Sequence, residues 1–192
     1  MDMEKNNFEN QQFNKVSLTG QDLQDKEFSK CAFTKCDFSN AKFSGSTFID
    51  CTFVDSNLSN IKIDDASFQK VTFENCKMIG VDFSTVSTLL IEWSFRKCLI
   101  ELCSFSKLEI RRGKFIQCTI RETDFINANM AETDFSGSDL QGSKFHNTVL
   151  DKADFSGARS YFIDPTQNKI KKAKFSYPEV LGLLDSFDIV LD

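Results

Sequence analysis

The amino-acid sequence predicts an all-β solenoid in which the chain winds in four-sided coils around a narrow apolar axis. The 192 residues include 21 phenylalanines, against 2 tyrosines and 1 tryptophan. An apolar residue recurs at every fifth position along most of the chain. In the second half, phenylalanine alternates at these positions with an aliphatic residue. Short internal repeats of this kind are typical of solenoids, whose stability comes from stacking each repeat on its neighbours.

The repeat runs in two series. The first has sixteen central positions, from Phe8 to Phe83, and the second has fourteen, from Leu90 to Phe155, with a shift of two residues between them. All these central positions are apolar, and 18 of the 21 phenylalanines occupy them. Because apolar residues make up only 41% of the chain, composition alone does not explain the pattern.

A period of five fits neither a helix nor a flat strand. Five residues of an α-helix end about 140° past a full turn, so the apolar residues would form no stripe. In a strand, an odd spacing sends successive side chains to opposite faces. Each pentad must therefore contain its own bend, and the bends must turn in one direction. The central residues are often flanked by serine, threonine, aspartate or asparagine, which stabilise turns by bonding their own backbone.

The alternation in the second half indicates four sides to each coil. Four pentads per coil place phenylalanine on two opposite walls and aliphatic residues on the other two, whereas three or five would mix them on every wall. Thirty pentads then make about 7.5 coils, or a shaft of roughly 36 Å at the β spacing of ~4.8 Å.

The seven cysteines all lie two residues before a central residue. A disulfide framework or a metal site is one interpretation, since cysteines 20 residues apart would stack at ~4.8 Å. The favoured interpretation is that they are small buried hydrophobic residues, because their number is odd and no CxxC occurs. The positions are Cys31, Cys36, Cys51, Cys76, Cys98, Cys103 and Cys118.

Catalysis, cofactors and membranes are not indicated. A single histidine, His146, argues against a multi-histidine metal centre or a Ser-His triad. We expect no catalytic residue, no metal and no cofactor. No signal-peptide pattern opens the sequence, and no apolar run reaches the length of a membrane span. These features and the unpaired cysteines lead us to expect no membrane partner and a cytoplasmic location.

Two irregularities divide the chain. The phase shift falls within residues 84–93, where Trp93 occupies a small-residue position, and predicts a bulge or slight kink between two halves of a repeat region spanning 1–159. Residues 160–192 are assigned to a C-terminal capping and dimerisation module. In it, Ser176 can cap a short α-helix that starts near Tyr177–Pro178. Because such a helix is too short to be stable alone, its apolar face should pack on the shaft and on a second copy in a homodimer. The expected interface is Val180, Leu181, Leu183, Leu184 and Phe187.

Stretches such as CDFSN, AKFSG, SDLQG and ADFSG resemble the pentapeptide-repeat proteins, over about 150 residues. The repeat shaft with a mid-chain slip and a C-terminal module is similar to the Qnr and MfpA group. This resemblance implies a right-handed quadrilateral β-helix, paired end to end, that mimics B-DNA. It also implies binding to DNA gyrase or topoisomerase IV and a role in quinolone resistance. Many Qnr proteins carry outward loops that matter for protecting gyrase, and the uninterrupted repeats here look closer to loop-free members that bind or inhibit gyrase.

The charge pattern agrees in part with DNA mimicry. With 28 acidic and 23 basic residues, the formal net charge is −5, which disfavours nucleic acid as a direct partner. One wall of the first half carries a net −3, and one wall of the second half a net −2. The alternative function is a solenoid scaffold for a protein other than a topoisomerase. The expected acidic surface is Asp22, Asp25, Asp64, Asp65, Asp82, Glu101, Glu122 and Asp139.

Overall fold

The computed structural model describes residues 4–187 and residue 189, which wind into a parallel β-solenoid. Each coil has four walls, labelled A to D in chain order. In the first coil, Phe8, Phe13, Leu18 and Leu23 are the central residues of walls A, B, C and D. Paired strands are offset by 20 residues, or by 22 across the phase shift, so that each wall lies directly over the same wall of the previous coil.

Fifteen short strands form the ladders among the described residues. Wall A holds β1 (Asn7–Glu9), β3 (Glu27–Ser29), β5 (Thr47–Ile49) and β7 (Ser67–Gln69). Wall B holds β2 (Gln12–Asn14), β4 (Ala32–Thr34), β6 (Thr52–Val54), β8 (Val71–Glu74), β10 (Trp93–Arg96), β12 (Lys114–Ile116), β14 (Asp154–Phe155) and β15 (Lys174–Phe175). Wall C holds β9 (Lys77–Ile79), β11 (Leu99–Glu101) and β13 (Thr119–Arg121). Elsewhere in the described part of the chain, single bridges connect the coils, all of them parallel except one between Gln69 and Ile91.

Each pentad bends at the residue two positions after its centre. That residue has a positive φ throughout the regular coils, as at Asn10 (52°) and Lys15 (55°). The left-handed conformation is tolerated best by glycine, asparagine and aspartate. Many bends are reinforced by the residue before the centre: Asp37 accepts a hydrogen bond from the backbone N–H of Ser39 at 2.9 Å. The prediction of one bend per pentad is confirmed.

Central side chains stack in columns along the axis. On wall B, nine phenylalanine rings follow one another with centroids 4.7–5.3 Å apart, which corresponds to eight turns of the coil. In the second half, phenylalanines occupy walls B and D, and aliphatic residues occupy walls A and C. The four-sided prediction is therefore confirmed. The wall-B column is Phe13, Phe33, Phe53, Phe73, Phe95, Phe115, Phe135, Phe155 and Phe175.

The prediction for Leu90 is wrong. Its side chain is 68% exposed, and it adopts φ 55° at a corner. Wall A has seven residues here (86–92), and the two additional residues let the backbone bulge outward without sending a side chain to the axis. Trp93, at the next corner, fills the layer instead: it is 2% exposed, and its ring lies 5.5 Å from Phe83.

The solenoid continues past Phe155 to Phe175, because β14 pairs with β15. The segment 160–175, which the sequence assigned to the capping module, thus forms the last coil. One wall of that coil is short, and the ring of Tyr161 fills its place, 5.7 Å from Phe155 and 5.6 Å from Phe175.

The C-terminal helix is present at Glu179–Phe187, but it is a 3₁₀-helix where an α-helix was expected. Its backbone bonds include Leu181 N–H to the Pro178 carbonyl at 3.0 Å, the short-range pattern that brief helical segments often adopt. The Ser176 hydroxyl accepts the N–H of Gly157 at 2.9 Å, and the helix bonds instead to the Ser176 backbone carbonyl, which accepts the N–H of Val180 at 3.0 Å. A second 3₁₀-helix, Phe83–Thr85, precedes the bulge.

Candidate interaction surface

Many of the positions two residues before a centre hold serine, threonine or cysteine, and these residues have a common function. Their side chains donate to the carbonyl of a central residue in the preceding coil: Ser46 Oγ to Leu23 at 2.6 Å, Ser138 Oγ to Phe115 at 2.6 Å, and Cys31 Sγ to Phe8 at 3.3 Å. A small side chain with a hydroxyl or thiol therefore satisfies a buried carbonyl that the ladder leaves free.

The cysteines belong to this set. All seven are free and buried. Burial raises the pKa of Cys51 to about 12 and that of Cys103 to about 11, so these thiols stay neutral and unreactive at physiological pH. The interpretation as small buried residues is confirmed. Among the described residues, no group of three His, Cys, Asp or Glu side chains is placed to hold a metal ion.

Packed side chains fill the axis of the solenoid. We therefore take its outer surface as the candidate site for binding a partner. Wall D presents Asp22, Asp25, Asp64, Asp65 and Asp82, all exposed. On wall D of the first half, the residues just before the central residues are Asp22, Lys42, Lys62 and Asp82, whose charges sum to zero. Bridges place Lys42 between Asp22 and Lys62 in this column. The net negative charge of this wall therefore lies on Asp25, Asp64 and Asp65, at its far edge.

Local contacts position two of these carboxylates. Backbone and side-chain N–H groups of Gln24 bond to the carboxylate of Asp22 and lower its pKa. Asp25 extends over Gly45 in the next coil, where a Cβ atom would overlap its carboxylate oxygen. Gly45 thus leaves the space that Asp25 occupies.

The acidic residues of the two halves meet at the corner between walls C and D. There, Asp82 and Glu122 line one cleft of about 460 Å³ together with Asp124 and Lys144. Lys144 lies 3.4 Å from Asp124 and compensates its charge. Glu101 is half-buried one residue before Leu102, which also lines the cleft. The structure therefore brings together residues that the sequence placed on separate walls.

Asp139 differs from the other predicted acidic residues. It is only 7% exposed, and its Oδ2 lies 3.6 Å from Arg121 and 3.4 Å from Arg159. The two guanidinium groups neutralise it, so its assignment to an exposed acidic surface is wrong. The net charge of −2 predicted for this wall did not include Arg159, which comes from the following coil.

The predicted dimer residues form a partly covered face. Val180, Leu183 and Leu184 are half-buried, and Leu183 packs against the core of the shaft. Leu181 and Phe187 remain 37% and 50% exposed. Sequence reasoning missed a second exposed apolar group, Leu89 and Leu90 on the bulge. The two additional residues in wall A were the signal that could have identified it.

Together, these features define a β-helical repeat protein with a packed axis and a charged exterior. Among its described residues, no helix has the length and apolar character needed to cross a membrane. A family model for a pentapeptide repeat region matches residues 26–89, and a model for pentapeptide repeats, in eight copies, matches residues 118–157. The chain belongs to the pentapeptide-repeat family, and the right-handed quadrilateral β-helix implied by the resemblance is its fold.

Solved structures include similar shafts. Two trypsin-treated variants of QnrB1, a plasmid-mediated fluoroquinolone resistance protein, align over 97% of both chains, with TM-scores of 0.63 and 0.58 at 16% and 19% identity. HetL, a pentapeptide repeat protein involved in heterocyst differentiation regulation in the cyanobacterium Nostoc, aligns over 90% of both chains at 13% identity, with a TM-score of 0.43. At these identities the likeness to QnrB1 establishes the fold. A search of curated proteins finds no match.

Proposed function

We propose that this protein mimics DNA and binds the DNA-binding groove of DNA gyrase or topoisomerase IV. The observation that carries the proposal is the set of exposed carboxylates along walls C and D, joined where Asp82 and Glu122 line one cleft. The fold shared with QnrB1 supports the same role and extends it to quinolone resistance. The protein would act by binding, without catalysis, in the cytoplasm.

The rigid shaft suits this role. Its charged groups are fixed on a stacked scaffold whose coils repeat at the β spacing of ~4.8 Å, so binding costs little reorganisation. A positively charged groove would attract walls C and D, and the attraction should weaken as salt rises.

A homodimer through the C-terminal segment would double the length of the shaft. Leu181 and Phe187 supply exposed apolar surface at that end. Eight turns at ~4.8 Å give about 38 Å per protomer, and two shafts end to end would span roughly 22 base pairs at about 3.4 Å each. Deleting residues 177–192 should yield monomers in light-scattering measurements, and a truncated protein that remains dimeric would rule out this interface.

The test is a gyrase supercoiling assay with purified protein, with and without a quinolone. The triple variant Asp64→Lys, Asp65→Lys and Glu122→Lys reverses charge on walls C and D. Its matched control, Asp50→Lys, Asp55→Lys and Glu74→Lys, makes the same change in charge on walls A and B. We expect wild-type protein and control to inhibit at micromolar concentration, and the wall C and D variant to need about tenfold more. Equal inhibition by both variants would contradict the proposal.

The second candidate is a scaffold for another protein. The exposed Leu89 and Leu90, 62% and 68% accessible, favour it because an apolar protrusion from a charged wall is typical of a protein contact. No effect on gyrase in either arm of the supercoiling assay would favour this function over the first.

A further inference from the structure

A cleft of about 890 Å³ lies at the corner between walls A and B, diagonally across the shaft from the acidic cleft of walls C and D. Its floor is the ladder of β8, β10 and β12, in which Val71 pairs with Trp93 and Ser94 pairs with Lys114. One side is raised by the bulge, where Ile91 runs antiparallel to Gln69 in a bridge. The two additional residues of wall A therefore create this cleft.

The lining of the cleft is strongly basic. It contains five cationic side chains and one carboxylate, Glu92. Arg112 forms an ion pair with Glu132, in which Nε of Arg112 lies 3.1 Å from Oε2 of Glu132. Within the described residues, the other four cations make no ion pair, although other basic residues of the shaft do. These four are Lys70, Arg96, Arg111 and Lys114.

An apolar hollow adjoins the cleft. It measures about 250 Å³ and is lined by Ile49, Leu90 and Ile91, with the polar Asp50, Gln69, Lys70 and Glu92 around them. Lys70, Ile91 and Glu92 also line the basic cleft. Leu90 and its chain neighbour Leu89 are both exposed. Four cations without an ion pair and a place for an aliphatic side chain thus lie side by side, although the ladder sets Arg96 beside Glu74 and Lys114 beside Asp134.

We propose that this corner binds an acidic peptide segment of a partner protein, with its carboxylates on Arg96, Arg111 and Lys114 and an aliphatic side chain in the hollow beside Leu90. This inference does not depend on topoisomerase binding, because it uses the walls opposite to C and D. Arginine favours such a ligand because its planar guanidinium pairs with carboxylates in two parallel hydrogen bonds.

Nucleic acid is a poorer fit to the same cleft. Phosphate-backbone binding relies on basic residues repeated along the contact, whereas these cations occupy one corner of a chain with net charge −5. The apolar hollow adds nothing for a phosphate chain but can take an aliphatic side chain of a peptide.

The experiment measures fluorescence anisotropy of labelled probes with the full chain. The probe is a twelve-residue peptide in which pairs of glutamates alternate with single leucines; the comparison probes are the same peptide with serine for leucine, one with lysine for glutamate, and a DNA oligonucleotide. The charge variant is Arg96→Glu with Arg111→Glu. Its matched control, Lys169→Glu with Lys171→Glu, makes the same charge change in the last coil. The apolar variant is Leu89→Ser with Leu90→Ser.

We expect the glutamate–leucine peptide to bind most tightly, and more weakly as salt rises. The charge variant should weaken binding about tenfold and the apolar variant about fivefold, while the control stays within about twofold of wild type. Three outcomes would overturn the proposal: no binding of this peptide, an equal loss in the control, or tighter binding of the oligonucleotide. Circular dichroism of each variant checks that the coil is intact. The charge and apolar variants change no residue on walls C and D. The peptide-binding result and the gyrase result of the triple variant can therefore fail independently of each other.

Discussion

The indole N–H of Trp93 donates a hydrogen bond to the carbonyl oxygen of Phe68, with a donor–acceptor distance of 2.8 Å. In regular coils the same bond comes from a small serine, threonine or cysteine, as from Cys76 to Phe53. Trp93 therefore keeps the hydrogen-bonding role of its position while its ring takes the space that Leu90 leaves empty. Trp93 thus supplies both the hydrogen-bond donor and the buried apolar group that the wall with two additional residues needs.

Trp93→Phe should lower the free energy of unfolding by about 1–2 kcal/mol, because the Phe68 carbonyl would stay buried without its donor. Trp93→Ala should cost more, about 3–5 kcal/mol, since it also opens a cavity at the axis. Urea unfolding followed by circular dichroism measures both. No cost for Trp93→Phe would mean that the hydrogen bond contributes nothing, and equal costs for the two variants would mean that the packing of the ring contributes nothing.

Tyr161 fills a shortened wall in the same way but without a donor bond, since its buried hydroxyl has no partner among the described residues. Burial also raises the pKa of Tyr161 to about 12. Tyr161→Phe should therefore leave stability unchanged or raise it by up to about 1 kcal/mol. A loss larger than that in urea unfolding would show that the hydroxyl does have a stabilising partner.

The seven thiols should resist modification in the native protein. Burial shields all seven thiols and raises the pKa of Cys51 and Cys103. Hydrogen bonds with Cys118 and Cys76 lower the pKa of Cys98, so its protection rests on burial alone. We expect an aromatic disulfide reagent at pH 8 to titrate all seven thiols in denaturant and fewer than one per chain, within minutes, without it. Rapid labelling of several native thiols would contradict the buried arrangement.

The sequence predicted the coil well because its period is local and repeated. Once each pentad bends in the same direction, the burial of Phe38 or Phe115 follows from position alone. The exceptions depend on contacts between coils. Leu90 fits the five-residue period but lies on a bulge. The period also does not show that Trp93 fills the axis, because this depends on the space between neighbouring coils.

The candidate surface was less predictable than the fold. Exposure of Asp64 and Asp65 follows from the repeat, but the neutralisation of Asp139 requires Arg159 from the next coil, 20 residues away. The basic cleft joins residues of three coils at one corner, from Lys70 to Lys114. Electrostatic environments of this kind are set by stacking, which a wall-by-wall count of charges does not include.

Competition with DNA for gyrase is the most direct test of the central proposal. A fluorescent DNA duplex bound to gyrase is titrated with the protein, and its anisotropy is followed. We predict that wild-type protein displaces the duplex at micromolar concentration, while the triple variant Asp64→Lys, Asp65→Lys and Glu122→Lys needs about tenfold more. DNA that remains bound at saturating wild-type protein would contradict the proposal that the acidic walls occupy the DNA site.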